Sequence, residues 1–251
     1  MPEPEVILQA EHVSKHFTRT GSDYGLKDVL LHSFSFFCRY LNSREFIALD
    51  DISCSLKRGE SLAILGANGA GKSTLLSLIG GIIQPSSGQL RVNGRIGLML
   101  ELGSGFCHDL SGRENIMLNG LLLGATRQEI RGLTDEIIDF SGLRDFIDEP
   151  LRTYSTGMQT RLGFAIAVHL KPDIMLIDEV LAVGDSEFRR KCQQKLAEMQ
   201  QQGVAWILVT HALEHAENYC ERAIYLDHGK MIFSGETRTV TDAIRKAGYE
   251  Y

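Results

Sequence analysis

An α/β fold with a buried parallel sheet is predicted by three features of the sequence. "SLAILGANGAGKSTLLSLIGG" reads as a buried strand, a glycine-rich turn and a helix that stops at paired glycines. "KPDIMLIDE" and "VAWILVTH" are short continuous apolar runs ending in polar residues, the pattern of parallel strands with chemistry at their carboxyl ends. Ahead of both, from Leu110 to about Asp148, the pattern turns helical.

The remaining elements follow in chain order. "EVILQAEHVSKHF" and "FIALDDISCSLKRGE" read as strands joined by a long segment, Thr18 to Arg44. In that segment Leu30, Phe34, Phe37 and Leu41 fall at helical spacing, which predicts a short amphipathic helix. "QPSSGQLRVNGRIGLMLELG" returns as turns and strands. Within the helical stretch, Ser111 to Glu114 and Thr126 to Glu129 are capping-box signatures. Together these predict one domain over 1–251. Residues 1–100 and 170–236 form its core with a β subdomain, 101–169 a helical subdomain, and 237–251 a short C-terminal tail.

Composition bounds the function. A chain of 251 residues with 43% apolar residues buries a full core, and disorder is excluded. A net charge of -6 gives no basic footprint for nucleic acid, so no such partner is expected. Five scattered cysteines, Cys38, Cys54, Cys107, Cys192 and Cys220, form neither a disulfide framework nor a zinc pattern, and fit a reducing cytosol. No apolar run has the length of a membrane span, and the acidic start lacks the basic character of a signal peptide. Membrane contact is expected to be peripheral.

Gly66, Ala67, Asn68, Gly69, Ala70, Gly71, Lys72, Ser73 and Thr74 match the phosphate-binding loop in full, between strand and helix as the motif requires. Its glycines let backbone N–H groups nest around phosphates at a helix N-terminus whose dipole favours anions. Lys72 would reach the β- and γ-phosphates, and the Ser73 hydroxyl would ligate Mg²⁺, a hard ion that prefers oxygen. Such a loop serves kinases, GTPases and motor ATPases alike. "IMLIDE" narrows the choice. Asp178 at a strand end can hold Mg²⁺, and Glu179 can polarise an attacking water as general base. A kinase would need a lid, and no arginine-rich lid segment is present.

The phosphate loop, "YSTGMQTRL", "IMLIDE", "LAVGD" and "LVTHAL", in this order, resemble an ATP-binding cassette ATPase over nearly the whole chain. The resemblance implies a phosphate-loop fold with an antiparallel β subdomain and an inserted helical subdomain, using ATP and Mg²⁺. In that family a signature helix, usually Leu-Ser-Gly-Gly-Gln, faces the γ-phosphate bound by the opposite subunit. Tyr154, Ser155, Thr156, Gly157 and Met158 stand there in this chain. Ser155 and Gly157 keep the pattern, a hydroxyl and a close backbone approach at a positive helix end. By the same resemblance Asp185 lies at the subunit seam, His211 senses the γ-phosphate, and Phe17 stacks on adenine. Glu101 stands where the family commonly has a coupling glutamine. A carboxylate there still ligates Mg²⁺ or water but donates no hydrogen bond unless protonated.

Within the family, "LELGSGF", "LSGRENIMLNG", "YSTGMQTRLGFAIA" and "DEVLAVGD" resemble ATPase subunits of polysaccharide exporters. The resemblance implies a head-to-tail dimer with a second copy, at the cytoplasmic face of the inner membrane. Its partner would be a separate permease dimer moving lipid-linked O-antigen, capsule or teichoic-acid chains. It also implies the short form, without a C-terminal glycan-binding domain. A soluble cassette ATPase of translation or DNA repair, usually with paired cassettes or a coiled-coil insertion, fits the length poorly. A weakly hydrolysing regulatory module stays open.

Overall fold

A computed structural model describes residues 5–18, 45–99, 105–178 and 185–249. The aromatic helix expected within 18–44 lies outside them, as do Glu101 and Glu179.

Two sheets form the core. β1 (Val6–Thr18), β2 (Glu45–Lys57) and β4 (Ser87–Val92) make an antiparallel sheet in the order β2-β1-β4. β3 (Ser61–Leu65), β5 (Ile96–Met99), β6 (Ile174–Asp178), β7 (Ala205–Val209), β8 (Arg222–Asp227) and β9 (Lys230–Glu236) make the second, in the order β5-β6-β7-β3-β8-β9. All its pairings are parallel except β8 with β9. The continuous apolar runs of β3, β6 and β7 follow from this burial on both faces, where successive side chains enter opposite cores.

On one face Leu62, Ile64, Leu176, Ile207 and Val209 pack against α1 (Lys72–Ile79) and the inner side of the antiparallel sheet, including Leu8, Val13, Leu49 and Ile52. On the other, Ala63, Leu65, Met175, Ile177 and Leu208 pack against α4 (Thr156–His169) and α5 (Ser186–Gln201). Each fully buried side chain of this size contributes about 1.5–3 kcal/mol.

A third cluster joins α2 (Gly112–Leu122), α3 (Arg127–Ser141) and α4. Both predicted capping boxes are present. Ser111 and Thr126 each accept from the N–H three residues on, and Glu114 and Glu129 reach back to the cap N–H. The side chains of α4 divide: Leu162, Ala165 and Ile166 enter this cluster, while Phe164, Ala167 and Val168 enter the sheet's core. The helix is thus apolar nearly all round, and its position is set from two sides.

The stretch 237–251, expected as a short tail, holds a packed helix. After α6 (Leu213–Tyr219) and the β8–β9 hairpin, α7 (Thr237–Ala247) buries Val240 and Ile244 in the sheet's core and ends at Gly248 in the left-handed conformation. The one-turn spacing of Val240 and Ile244 and the closing glycine are the local reason.

Candidate functional site

The phosphate loop runs from the end of β3 into α1, and its glycines answer to neighbours. A Cβ on Gly66, at φ +148, would lie 2.3 Å from the Leu226 carbonyl oxygen. One on Gly71, at φ +106, would lie 2.7 Å from that of Ala48. Both positions exclude any side chain. The loop is anchored from outside: Gly229 N–H donates to Ala70 O at 3.0 Å, and Asp50 N–H donates to Gly229 O at 2.8 Å. Lys72 Nζ folds back over the loop, donating to Gly66 O at 2.6 Å and Ala67 O at 3.0 Å. The ammonium is thereby held at the mouth of the nest. Ser73 is exposed at the start of α1, its hydroxyl open to an incoming ligand.

The sheet order brings the other candidates to the same edge. β7 lies beside β3, and β6 beside β7, all parallel. Two strand spacings put the end of β6 about 10 Å from the end of β3. Asp178 is the last residue of β6, in register with Val209. Beyond β7, Thr210 is buried, donates its N–H to Ile64 O at 3.3 Å and accepts at Oγ1 from Ala212 N–H at 3.0 Å. That turn leaves His211 exposed at the carboxyl edge. Ligands of open α/β sheets bind along this edge.

Phe17 lies near the end of β1, 40% exposed, with Lys15 Nζ 5.1 Å from its ring centroid. Its ring lies at the surface, with a face accessible for stacking.

The signature stretch starts α4. Ser155 is the N-cap, its Oγ accepting from Met158 N–H at 3.2 Å. Its hydroxyl proton has no acceptor among the described residues. Ser155, Thr156 and Gly157 are exposed, no acidic residue occupies the first turn, and Met158 tucks against the helical cluster. The positive helix end therefore has no counter-charge on its own first turn. A Cβ on Gly157 would meet only Ser155 Oγ, at 3.9 Å. Glycine inside a helix costs about 1 kcal/mol relative to alanine, and nothing among the described residues requires it here. Ahead of the cap, the Tyr154 hydroxyl donates to Phe146 O at 2.6 Å; burial, then Asp148 and Glu149, push its pKa up to about 12. The phenol stays a neutral donor at working pH.

Asp185 caps α5, accepting from Phe188 N–H at 2.9 Å. Arg161 of α4 donates to its second oxygen at 2.5 Å. The Phe188 N–H foremost, and Arg161, hold this carboxyl below its ordinary range. Neither Arg161 nor Gly229 was singled out in the sequence. The Asp-His-Gly turn marks the β8–β9 hairpin locally, but its grip on the phosphate loop is a tertiary contact, as is the pairing of Arg161 with Asp185.

A sheet with a phosphate loop at its carboxyl edge and an inserted helical unit is the architecture of a nucleotide-binding ATPase. Residues 49–182 match the ABC transporter family, and the chain belongs to that family as an ATP-binding ATPase subunit. It is 40% identical over 244 residues to "O-antigen export system ATP-binding protein RfbB" of Klebsiella pneumoniae, covering 96% of this chain and 98% of that one. It is 50% identical over 200 residues to the Myxococcus xanthus protein of the same name, covering 80% of this chain but 46% of the relative. "Teichoic acids export ATP-binding protein TagH" of Lactiplantibacillus plantarum is 39% identical over 249 residues, 99% of this chain and 67% of the relative. A solved "ATP binding subunit of ABC transporter" superposes with TM-score 0.73 at 22% identity, over 96% of this chain and 93% of that one, and shows the same fold.

Proposed function

We propose that this chain hydrolyses ATP to power export of a lipid-linked polysaccharide, of the O-antigen, capsule or teichoic-acid kind, through a separate membrane permease. The observation that carries this reading is the nearly end-to-end match to an O-antigen export protein of similar length. Among the described residues no helix is long and apolar enough to cross a membrane. In this reading the chain works from the cytoplasmic face, against a partner that supplies the passage.

In this reading the triphosphate enters the loop and Lys72 trades its two loop carbonyls for phosphate oxygens. Ser73 on α1 and Asp178 at the end of β6 are the oxygen donors suited to Mg²⁺, with Glu101 as a further candidate. When bound, the ion neutralises charge on the β- and γ-phosphate oxygens. Glu179 takes a proton from the attacking water, His211 holds the γ-phosphate in place, and Phe17 offers its exposed face to adenine. The start of α4 carries no acidic residue in its first turn, which suits it to a phosphate. It faces the γ-phosphate of a second copy, with Ser155 donating and Gly157 leaving room. Asp185 sits beside this seam.

The permease needs a foothold. Leu121 and Leu122, 40% and 67% exposed at the end of α2, give the helical unit an apolar contact surface. Leu122→Ser is expected to lower permease-stimulated turnover several-fold while the chain alone keeps its ATPase rate and melting temperature. Unchanged stimulation would remove this surface from the contact.

The export reading is tested in the host. Deleting the gene should leave lipid-linked glycan on the cytoplasmic side and none at the cell surface. The intact chain should restore display, and Lys72→Ala should not. Normal surface glycan in the deletion strain would overturn the substrate class.

A further inference from the structure

We propose that Arg161 is a positioning residue for the nucleotide bound by the opposite subunit, setting the angle at which the start of α4 is presented. The inference rests on the head-to-tail reading above.

Arg161 lies about 9 Å along α4 from Ser155, at 1.5 Å per residue. Its guanidinium makes two contacts with α5: Nη2 is 2.5 Å from Asp185 Oδ2, and the central carbon lies 5.0 Å from the Phe188 ring centroid. The Arg161 side chain is 27% exposed and that of Asp185 59%, so solvent reaches the pair mainly from the carboxylate side. Asp185 is held independently, its other oxygen taken by Phe188 N–H. Phe188 is itself buried in the sheet's core. The arginine therefore grips an anchored end of α5.

The rest of this junction is apolar, with aromatic rings among its contacts. Phe164 of α4 meets Phe188 edge-on at 6.0 Å between centroids, and stacks with Phe140 of α3 at 6.0 Å. Ring contacts of this kind accept several geometries at similar energy and do not fix an angle. Lys191 of α5 adds a bond to Phe140 O at 2.9 Å, which ties α5 to α3 rather than to α4. Among the described residues the directional bond between α4 and α5 is the single charge-assisted hydrogen bond from Arg161 Nη2 to Asp185 Oδ2. Asp185 also follows closely in sequence on Glu179. The pair thus links the signature helix to the segment downstream of the metal-binding strand.

A half-exposed ion pair adds little to folding, so a stabilising role alone predicts no change in turnover. Misplacing a reacting or positioning group by an ångström costs up to ~10²-fold in rate.

The test uses full-length mixed dimers with the permease, in which one chain carries Lys72→Ala and a single competent loop remains, on its partner. Arg161→Met is placed on one chain or the other. If Arg161 aims its own α4 at the neighbour's loop, the lesion acts only on the Lys72→Ala chain. There it should weaken ATP-dependent closure and slow turnover by ~10–10²-fold. On the loop-competent chain it should be silent, and Arg161→Lys should recover part of the loss. An equal effect in both placements, an effect confined to the loop-competent chain, or no effect at all overturns the proposal. Gly157→Asp, placed the same two ways, separates the premises. Placement dependence for Gly157→Asp without it for Arg161→Met sinks only this inference, and its absence for Gly157→Asp sinks the head-to-tail reading.

Discussion

Glu179→Gln should slow ATP turnover by ~10²–10⁴-fold while leaving ATP binding intact. The amide keeps the size of the carboxylate but cannot take a proton from water. Glu179 follows Asp178, which closes β6 at the carboxyl edge where the phosphate loop also opens. Parallel measurements of nucleotide affinity and single-turnover hydrolysis separate the two functions. Near-normal turnover would remove Glu179 from the role of base, and weakened binding would make it a ligand.

Gly157→Asp should abolish turnover with no loss of stability. Among the described residues the new Cβ has room, meeting nothing closer than Ser155 Oγ at 3.9 Å. A carboxylate in the first turn gains about 0.3–1 kcal/mol from the helix dipole, and replacing glycine by aspartate gains about 0.3 kcal/mol more. Melting temperature should hold or rise. Across the seam the sign reverses. A unit negative charge about 4 Å from a phosphate charge costs about 4 kcal/mol at an effective dielectric of 20, near 10³-fold in closure. A variant that melted early would trace the inactivity to folding, and a variant that stayed active would leave the start of α4 without a phosphate to face.

What the sequence disclosed was local. The phosphate loop, the strand pair β1 and β2, and the capping boxes at Ser111 and Thr126 depend on neighbours within a few residues, so spacing revealed them. The helix over Thr237–Ala247 had such a signal too, in Val240, Ile244 and Gly248, but a chain end of mixed polarity hid it. Other features are tertiary. Gly229 pinning Ala70, Leu226 O crowding Gly66, and Arg161 reaching Asp185 join residues far apart in sequence, and no periodicity encodes them. The opposite holds at Gly157, where the described residues show no internal need for the glycine that the motif contains.

That absence makes the mixed dimer the most direct test of the account. One chain carries Lys72→Ala and the other Gly157→Asp, each of which should inactivate its own homodimer. If α4 faces the neighbour's γ-phosphate, both lesions fall in one site of the mixed dimer, and the other keeps intact Lys72, Asp178, Glu179 and Ser155. Purified mixed dimers, tagged on each chain and reconstituted with the permease, should close on ATP and recover part of the turnover. Folded mixed dimers that neither close nor hydrolyse would contradict the account, because a start of α4 that served its own chain's phosphate would leave both sites broken.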